Sequence, residues 1–485
     1  MNYITEGLSL AGGTSALLRF FEDICKIPHG SGNEQAISDY LMEFARARGL
    51  SCYQDEALNV LIVKEATPDC AHKPALLLQG HMDMVCEKNS DVAHDFLTDP
   101  IVPYIDGDWM RARGTTLGGD DGIAVAIIMA ILDDDTISHP KLECLITTGE
   151  ETRMEGAGRF DYSRITARRL INLDSEDEGV ATASCAGGMD LMYTLPTDRI
   201  SCPGRPIKIT VKGLAGGHSG ADIHLCRGNA NRILGRLLAV LYEDTPFNLV
   251  TVSGGNKRNA IPREAVAEIF VDDPKAATAI LLAEEAKLKK ELSDADAGFK
   301  LLVGKGAPAD AMLTYKDSST VINLLTLLPD GVVAMSPFVE GFVRTSSNTG
   351  VVTTTSEAVQ VAVMARSSSD SEMDALTLTF KRLAKALNVE MVIEDRHAGW
   401  DFDPNSKLAT DFVEVYKETF GAYSTPVVNA IHAGLECGII VSALDGECDA
   451  ISIGPTLRDI HTPDEALYIP SCDRLWTLLL NLMKK

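Results

Sequence analysis

The chain reads as an α/β protein, a mixed central sheet flanked by helices, carrying an inserted α+β domain. Three observations lead there. Its 485 residues exceed what one ordinary core accommodates. Toward both ends, short continuous apolar runs alternate with helical stretches, the pattern of strands buried on both faces. In the middle the runs alternate in polarity instead, as half-exposed strands do.

The elements follow in order. SALLRFFEDICKI (15–27) has helical spacing and stops before Pro28. Ser31-Gly-Asn-Glu34 reads as a capping box that opens a second helix ending near Gly49. ALLLQ (75–79), KLECLIT (141–147) and RLINLD (169–174) are buried strands, with a helix over about 121–133. PIKITVKGL (206–214), REAVAEIFV (263–271) and AVQVAVMAR (358–366) alternate, separated by amphipathic stretches at 228–242, 273–293 and 371–387. The α/β pattern then returns with a helix over 405–420, the strands VVNAI (427–431) and ISIG (451–454), and a closing helix over 471–484. The expected division is 1–205 and 396–485 as one domain in two pieces, with 206–395 inserted.

Bulk properties exclude several function classes. A net charge of −25 disfavours nucleic acid and anionic membrane surfaces, which are bound through Lys and Arg. The longest apolar stretch, GIAVAIIMAIL (122–132), is too short to span a bilayer and runs into three aspartates. MNYITEGLSL has no basic region ahead of an apolar one, so no signal peptide is expected. Eleven scattered cysteines with no CxxC pair fit reduced thiols in a cytoplasmic protein. Any metal must then be held by His, Asp and Glu.

Acids and histidines fall where a sheet would gather them. Gly80-His81-Met82-Asp83 follows ALLLQ, Glu150-Glu151 follows KLECLIT, Asp174 ends LINLD, and His461 lies in a loop after ISIG. Asp120, in GTTLGGDDG, precedes the 121–133 helix. Sites in open α/β sheets form beyond the carboxyl ends of strands, so these groups should converge. Two divalent cations a few ångströms apart need imidazole and carboxylate ligands and one bridge. His81, Asp120, Glu151, Asp174 and His461 would supply them, with Asp120 bridging. Glu150 would remain free to take a proton from water, and Asp83 to accept the second imidazole N–H of His81. Zinc suits such ligands, and manganese or cobalt fits too. Singly, each residue has an ordinary reading: a turn or salt bridge for HxD, a helix first turn for Glu-Glu, capping for Asp120-Asp121, a structural acid for Asp174. Their joint occurrence at successive strand ends favours the metal reading.

At these residues the chain resembles the superfamily of dinuclear zinc hydrolases that includes acetylornithine deacetylase, carboxypeptidases and dipeptidases. The signatures QGHMDMV, ARGTTLGGDDGI, GGHSG, RNAIPRE, HAGLECG and SIGPT…HTPDE are similar to the aminoacyl-histidine dipeptidases, from about residue 15 to the end. The resemblance implies two metal ions, a catalytic domain of zinc-peptidase type and a lid over it. It implies hydrolysis of dipeptides, with histidine as the C-terminal residue. His218 would then help hold the carbonyl oxygen as it becomes an oxyanion, Arg366 would clamp the substrate carboxylate, and Asn259 and His432 would add polar contacts. Glu436 either faces substrate or packs with the Gly-rich turn around it. LRDI, before His461, departs from the neutral loop expected there. A single lid would need a homodimer, whereas a doubled lid would serve its own chain. An N-acyl amino acid deacylase and a non-catalytic binding protein are the rival readings, and a two-metal phosphoesterase is disfavoured by the acidic balance.

Overall fold

The computed structural model describes residues 3–5, 12–292 and 294–485. Most of the opening segment on which the signal-peptide expectation falls lies outside them. The chain forms two compact units. The first runs to Ser184 and resumes with Phe402–Ala430 and Leu435–Lys485; the second is Cys185–Asp401 with Ile431–Gly434. The boundaries expected from sequence, 205/206 and 395/396, fall elsewhere for a physical reason. Strand Gly187–Pro196 pairs with Ala358–Ser367 along its whole length, which draws it into the second unit.

The first unit is built on an eight-stranded mixed sheet in the order Ser51–Gln54, Val60–Lys64, Leu142–Thr147, Leu76–His81, Arg169–Asn172, Asp449–Ser452, Val180–Cys185, Val427–Ile431. Its middle four strands are parallel, so their carboxyl ends lie side by side. Helix Gly119–Asp133 packs against this sheet and is apolar all round, as a helix buried on every side must be; every residue from Gly122 to Leu132 is buried. It approaches the sheet closely because residue 80 is glycine: a Cβ there would sit 2.5 Å from Asp121 Oδ2 and 2.8 Å from Ala124 Cβ.

The expected capping box does not form. Helix Gln35–Ala47 starts after Glu34, whose Oε1 accepts Gly32 N–H at 2.8 Å. Ser31 Oγ instead donates to Asp83 Oδ2 at 2.8 Å. The Ser31 side chain is turned toward a charged, buried acceptor rather than toward the amides of its own helix.

The second unit contains a repeat that its sequence does not announce. Ile207–Lys212, Ala230–Asp244, Asn248–Gly254, Ala265–Phe270, Pro274–Glu291 and Lys300–Lys305 form a βαββαβ module. Gly187–Pro196, Tyr315–Leu327, Val343–Thr354, Ala358–Ser367, Asp370–Leu387 and Glu390–His397 form another, and the first is inserted after its leading strand. Both have the ferredoxin-like strand order 4-1-3-2, and they meet through their second strands, at Gly254 and Val352.

Candidate functional site

Four of the sequence-predicted acids and histidines stand at the carboxyl ends of the parallel strands, and Asp120 and His461 join them from loops. His81 closes its strand, fully buried. Its Nδ1 lies 3.0 Å from the Asp83 carbonyl oxygen and 3.5 Å from Asp83 Oδ1, so the proton belongs on Nδ1 and Nε2 faces the cluster. That Nε2 is 3.2 Å from Asp120 Oδ1 and 3.6 Å from Asp174 Oδ1. Asp120 offers its other oxygen, Oδ2, to His461 Nε2 at 3.1 Å, and His461 also meets Glu151 Oε1 at 3.0 Å. One carboxylate therefore stands between two imidazoles, an oxygen toward each. Three overlapping groups bring potential ligand atoms within 4.8 Å of one another: His81, Asp121 and Asp174; His81, Glu150 and Glu151; Asp120, Glu151 and His461.

Asp83 does more than face His81. Its carboxylate is buried and accepts the Glu150 N–H at 3.1 Å, the Glu151 N–H at 3.3 Å and the Ser31 hydroxyl. One acid thus orients the imidazole and caps the short helix Glu150–Arg153 that carries both glutamates. Burial works against its charge, but His81, Ser31 and the Glu150 amide outweigh burial and hold the carboxyl below its usual range.

Electrostatics differentiate the acids. Burial, reinforced by Asp174, Glu436 and Glu151, pushes the Glu150 carboxyl well above its ordinary value. Burial likewise pushes Asp174 up to about 7. His461, hydrogen-bonded to Asp120 and Glu151, rises to about 10, while Asp120 between its two histidines is held low despite burial. Such a cluster of acids, with only two imidazoles among them, is suited to cations.

A second group of polar side chains lies in the second unit. His218 sits in the two-residue strand Gly217–His218, paired with Ala260–Ile261. Its Nδ1 accepts the amides of Gly220 at 3.2 Å and Ala221 at 3.0 Å, which puts its proton on Nε2 as a donor. A Cβ on Gly220 would come within 3.1 Å of His218 Cε1, 3.2 Å of Arg366 Nε and 2.3 Å of the His432 carbonyl oxygen, so this glycine lets the three approach. Arg366 is 6% exposed, and its Nε has no hydrogen-bond partner among the described residues. Burial pushes its guanidinium down to about 10. His432 Nε2 pairs with Ser346 Oγ at 2.7 Å, while its Nδ1 is unpartnered among the described residues. The Asn259 side chain is exposed beside this group, and its carbonyl accepts the Ser219 N–H at 2.9 Å.

The chain is 40% identical over 469 residues to the cytosol non-specific dipeptidase of Escherichia coli, covering 96% of each. The chain belongs to this dipeptidase family. It is an enzyme. A crystal structure of aminoacylhistidine dipeptidase from Vibrio alginolyticus matches with a TM-score of 0.93 and 36% identity, over 100% of this chain and 98% of that one. A tripeptidase from Staphylococcus aureus shares the fold with a TM-score of 0.54 at 17% identity, over 97% and 98%. Residues 209–296 match the peptidase dimerisation domain, which spans most of the inserted βαββαβ module.

Around this dipeptidase-family site stand side chains to which the sequence assigns no part in it, Asp121 and Gln79 among them, and one, Glu436, whose place it leaves open. Asp121 lies inside one ligand group and accepts the His81 N–H at 3.2 Å. Glu436 is fully buried in the first unit, where its Oε2 accepts Gln79 Nε2 at 2.5 Å and Thr147 Oγ1 at 2.6 Å. Gln79 Oε1 in turn accepts Asn172 Nδ2 at 2.7 Å. This network runs across three parallel strands just below their tips, and alternating polar residues inside otherwise apolar strands were its only signal. It answers the question left open for Glu436, which is tied to the sheet.

Proposed function

We propose that this peptidase hydrolyses dipeptides at a centre of two divalent ions, held by His81, Asp120, Glu151, Asp174 and His461, with Asp120 as the bridge. The observation that carries the reading is the Asp120 carboxylate, one oxygen toward His81 and the other toward His461. The donors are all imidazole nitrogen and carboxylate oxygen, a set that fits zinc best and accepts manganese or cobalt. Two such ions, when bound, acidify water and polarise a peptide carbonyl.

The chain's own residues do the rest. Glu150, whose carboxyl burial and like charges push above its ordinary value, takes a proton from the attacking water and hands it to the leaving amine. Asp83 fixes the tautomer of His81 and the position of Glu150 through its amide. His218 donates Nε2–H to the developing oxyanion. Arg366, a buried cation with an unpartnered Nε, clamps the substrate's terminal carboxylate, which limits substrates to two residues. His432 and Asn259 border that recognition group.

Among the described residues no helix is long and apolar enough to cross a membrane. The Escherichia coli relative's name, a cytosol dipeptidase, supports a cytoplasmic enzyme acting on small peptides. The dimerisation-domain match supports a homodimer. On specificity the relatives' names differ, one non-specific and one for aminoacyl-histidine substrates. The experiment is a panel of β-Ala-His, Gly-His, Leu-Leu and N-acetyl amino acids offered to metal-loaded enzyme. Cleavage of the dipeptides alone is expected, with the His-ending ones fastest. Turnover of N-acetyl amino acids without any dipeptide cleavage would replace this reading with a deacylase.

A further inference from the structure

The HTPDE segment brings two side chains to the Asp120 loop, and so far only His461 has a task. Glu465 is the second. It is 2% exposed. Its Oε2 accepts the amides of Leu117 at 2.7 Å and Gly118 at 3.1 Å, and its Oε1 those of Gly119 at 2.7 Å and Asp120 at 3.3 Å. Four consecutive backbone N–H groups converge on one carboxylate. Gly118, with φ of 72°, turns the chain so that they can do so. A Cβ on Gly119 would lie 3.1 Å from Glu465 Oε1 and 2.8 Å from Leu457 Cδ2, so the carboxylate is packed directly against this backbone.

The same five residues therefore hold Asp120 at both ends. Glu465 grips its amide and the three before it, and His461 meets its carboxylate. A bridging ligand must satisfy two positions at once, and a shift of its backbone is felt at both.

We infer that Glu465 is a positioning residue of the metal centre, fixing the Leu117–Asp120 turn so that both oxygens of Asp120 stay aimed at the two imidazoles. The inference rests on the two-ion reading above. Glu465→Gln keeps the shape but replaces one acceptor oxygen with an NH₂ that must face N–H donors. Its loss should weaken both ions together.

The test is zinc titration of wild type, Glu465→Gln and Glu465→Asp by calorimetry, with visible spectra of the Co²⁺-loaded forms and circular dichroism of the metal-free forms. Wild type should take up two ions. Glu465→Gln should bind them about 10–100-fold more weakly, with altered cobalt bands and an unchanged metal-free fold. Two ions bound at wild-type affinity with an unchanged cobalt spectrum would overturn the inference and leave Glu465 a packing residue. If Glu465→Gln does not fold, Glu465→Asp decides: it keeps the charge but retracts the acceptors by one methylene, and weakened binding supports the inference while wild-type binding overturns it. Wild type that takes up fewer than two ions would sink the two-ion reading itself, and this inference with it.

Discussion

Replacing Arg366 by Met should raise stability and lower activity at once, because the structure sets the two effects against each other. The guanidinium is 6% exposed, its Nε has no hydrogen-bond partner among the described residues, and the charge of Asp190 only partly offsets its burial. Burial brings it down from 12.5 to about 10. The folded state therefore holds this proton less readily than the unfolded chain does. That penalty is fully present below about 10 and disappears only as pH rises through the unfolded value. It amounts to about 3 kcal/mol against folding at neutral pH. Met fills similar volume without charge, so Arg366→Met should gain a large part of it. The substrate loses a charge-assisted, two-pronged contact at the same time, about 3 kcal/mol or roughly 10²-fold in kcat/KM. Urea unfolding measures the first effect. Kinetics on a dipeptide and on the same dipeptide C-terminally amidated measure the second: wild type should prefer the free carboxylate strongly, and the variant should not. A variant that is less stable and still discriminates between the two substrates would show that Arg366 neither costs stability nor holds the carboxylate.

Glu150→Gln should lower kcat by about 10²–10⁴ while calorimetry still finds two ions, since it removes a proton acceptor and no ligand. Chelation should abolish activity and lower the melting temperature; restoring metal at about 100–1,000 times its Kd should return roughly 3–4 kcal/mol of stability. His432 is pushed down to about 3 by burial and by Arg366, so the folded chain binds fewer protons than the unfolded one. Stability from this residue is complete above about 6.5 and is lost as pH falls toward 3, about 2 kcal/mol by pH 5. His432→Asn should accordingly lose less stability than wild type between pH 7 and 5, read from melting temperatures.

The sheet that carries the site was legible because its strands are short apolar runs whose last residues are polar. The observed strands Leu76–His81 and Leu142–Thr147 end within two residues of their sequence-read limits. The same logic placed His81, Asp120, Glu150, Glu151, Asp174 and His461 together, since parallel strands bring their carboxyl ends side by side whatever the sequence distance. Glu465 was not legible: a glutamate after a turn looks like any surface acid until four amides are seen around it. Ser-x-x-Glu is a local pattern and so signals a cap at Ser31, whereas the partner Ser31 takes in the fold, Asp83, is distant in sequence. The paired βαββαβ modules escaped notice because they share topology and strand order rather than residues, and because one interrupts the other.

Metal titration of the stripped enzyme, followed by hydrolysis of a His-ending dipeptide, counts the ions that activity needs. Activity should be absent at the start and rise to a plateau at two ions per chain. Full activity in the stripped enzyme, or a plateau reached with a single ion, would contradict a two-ion centre.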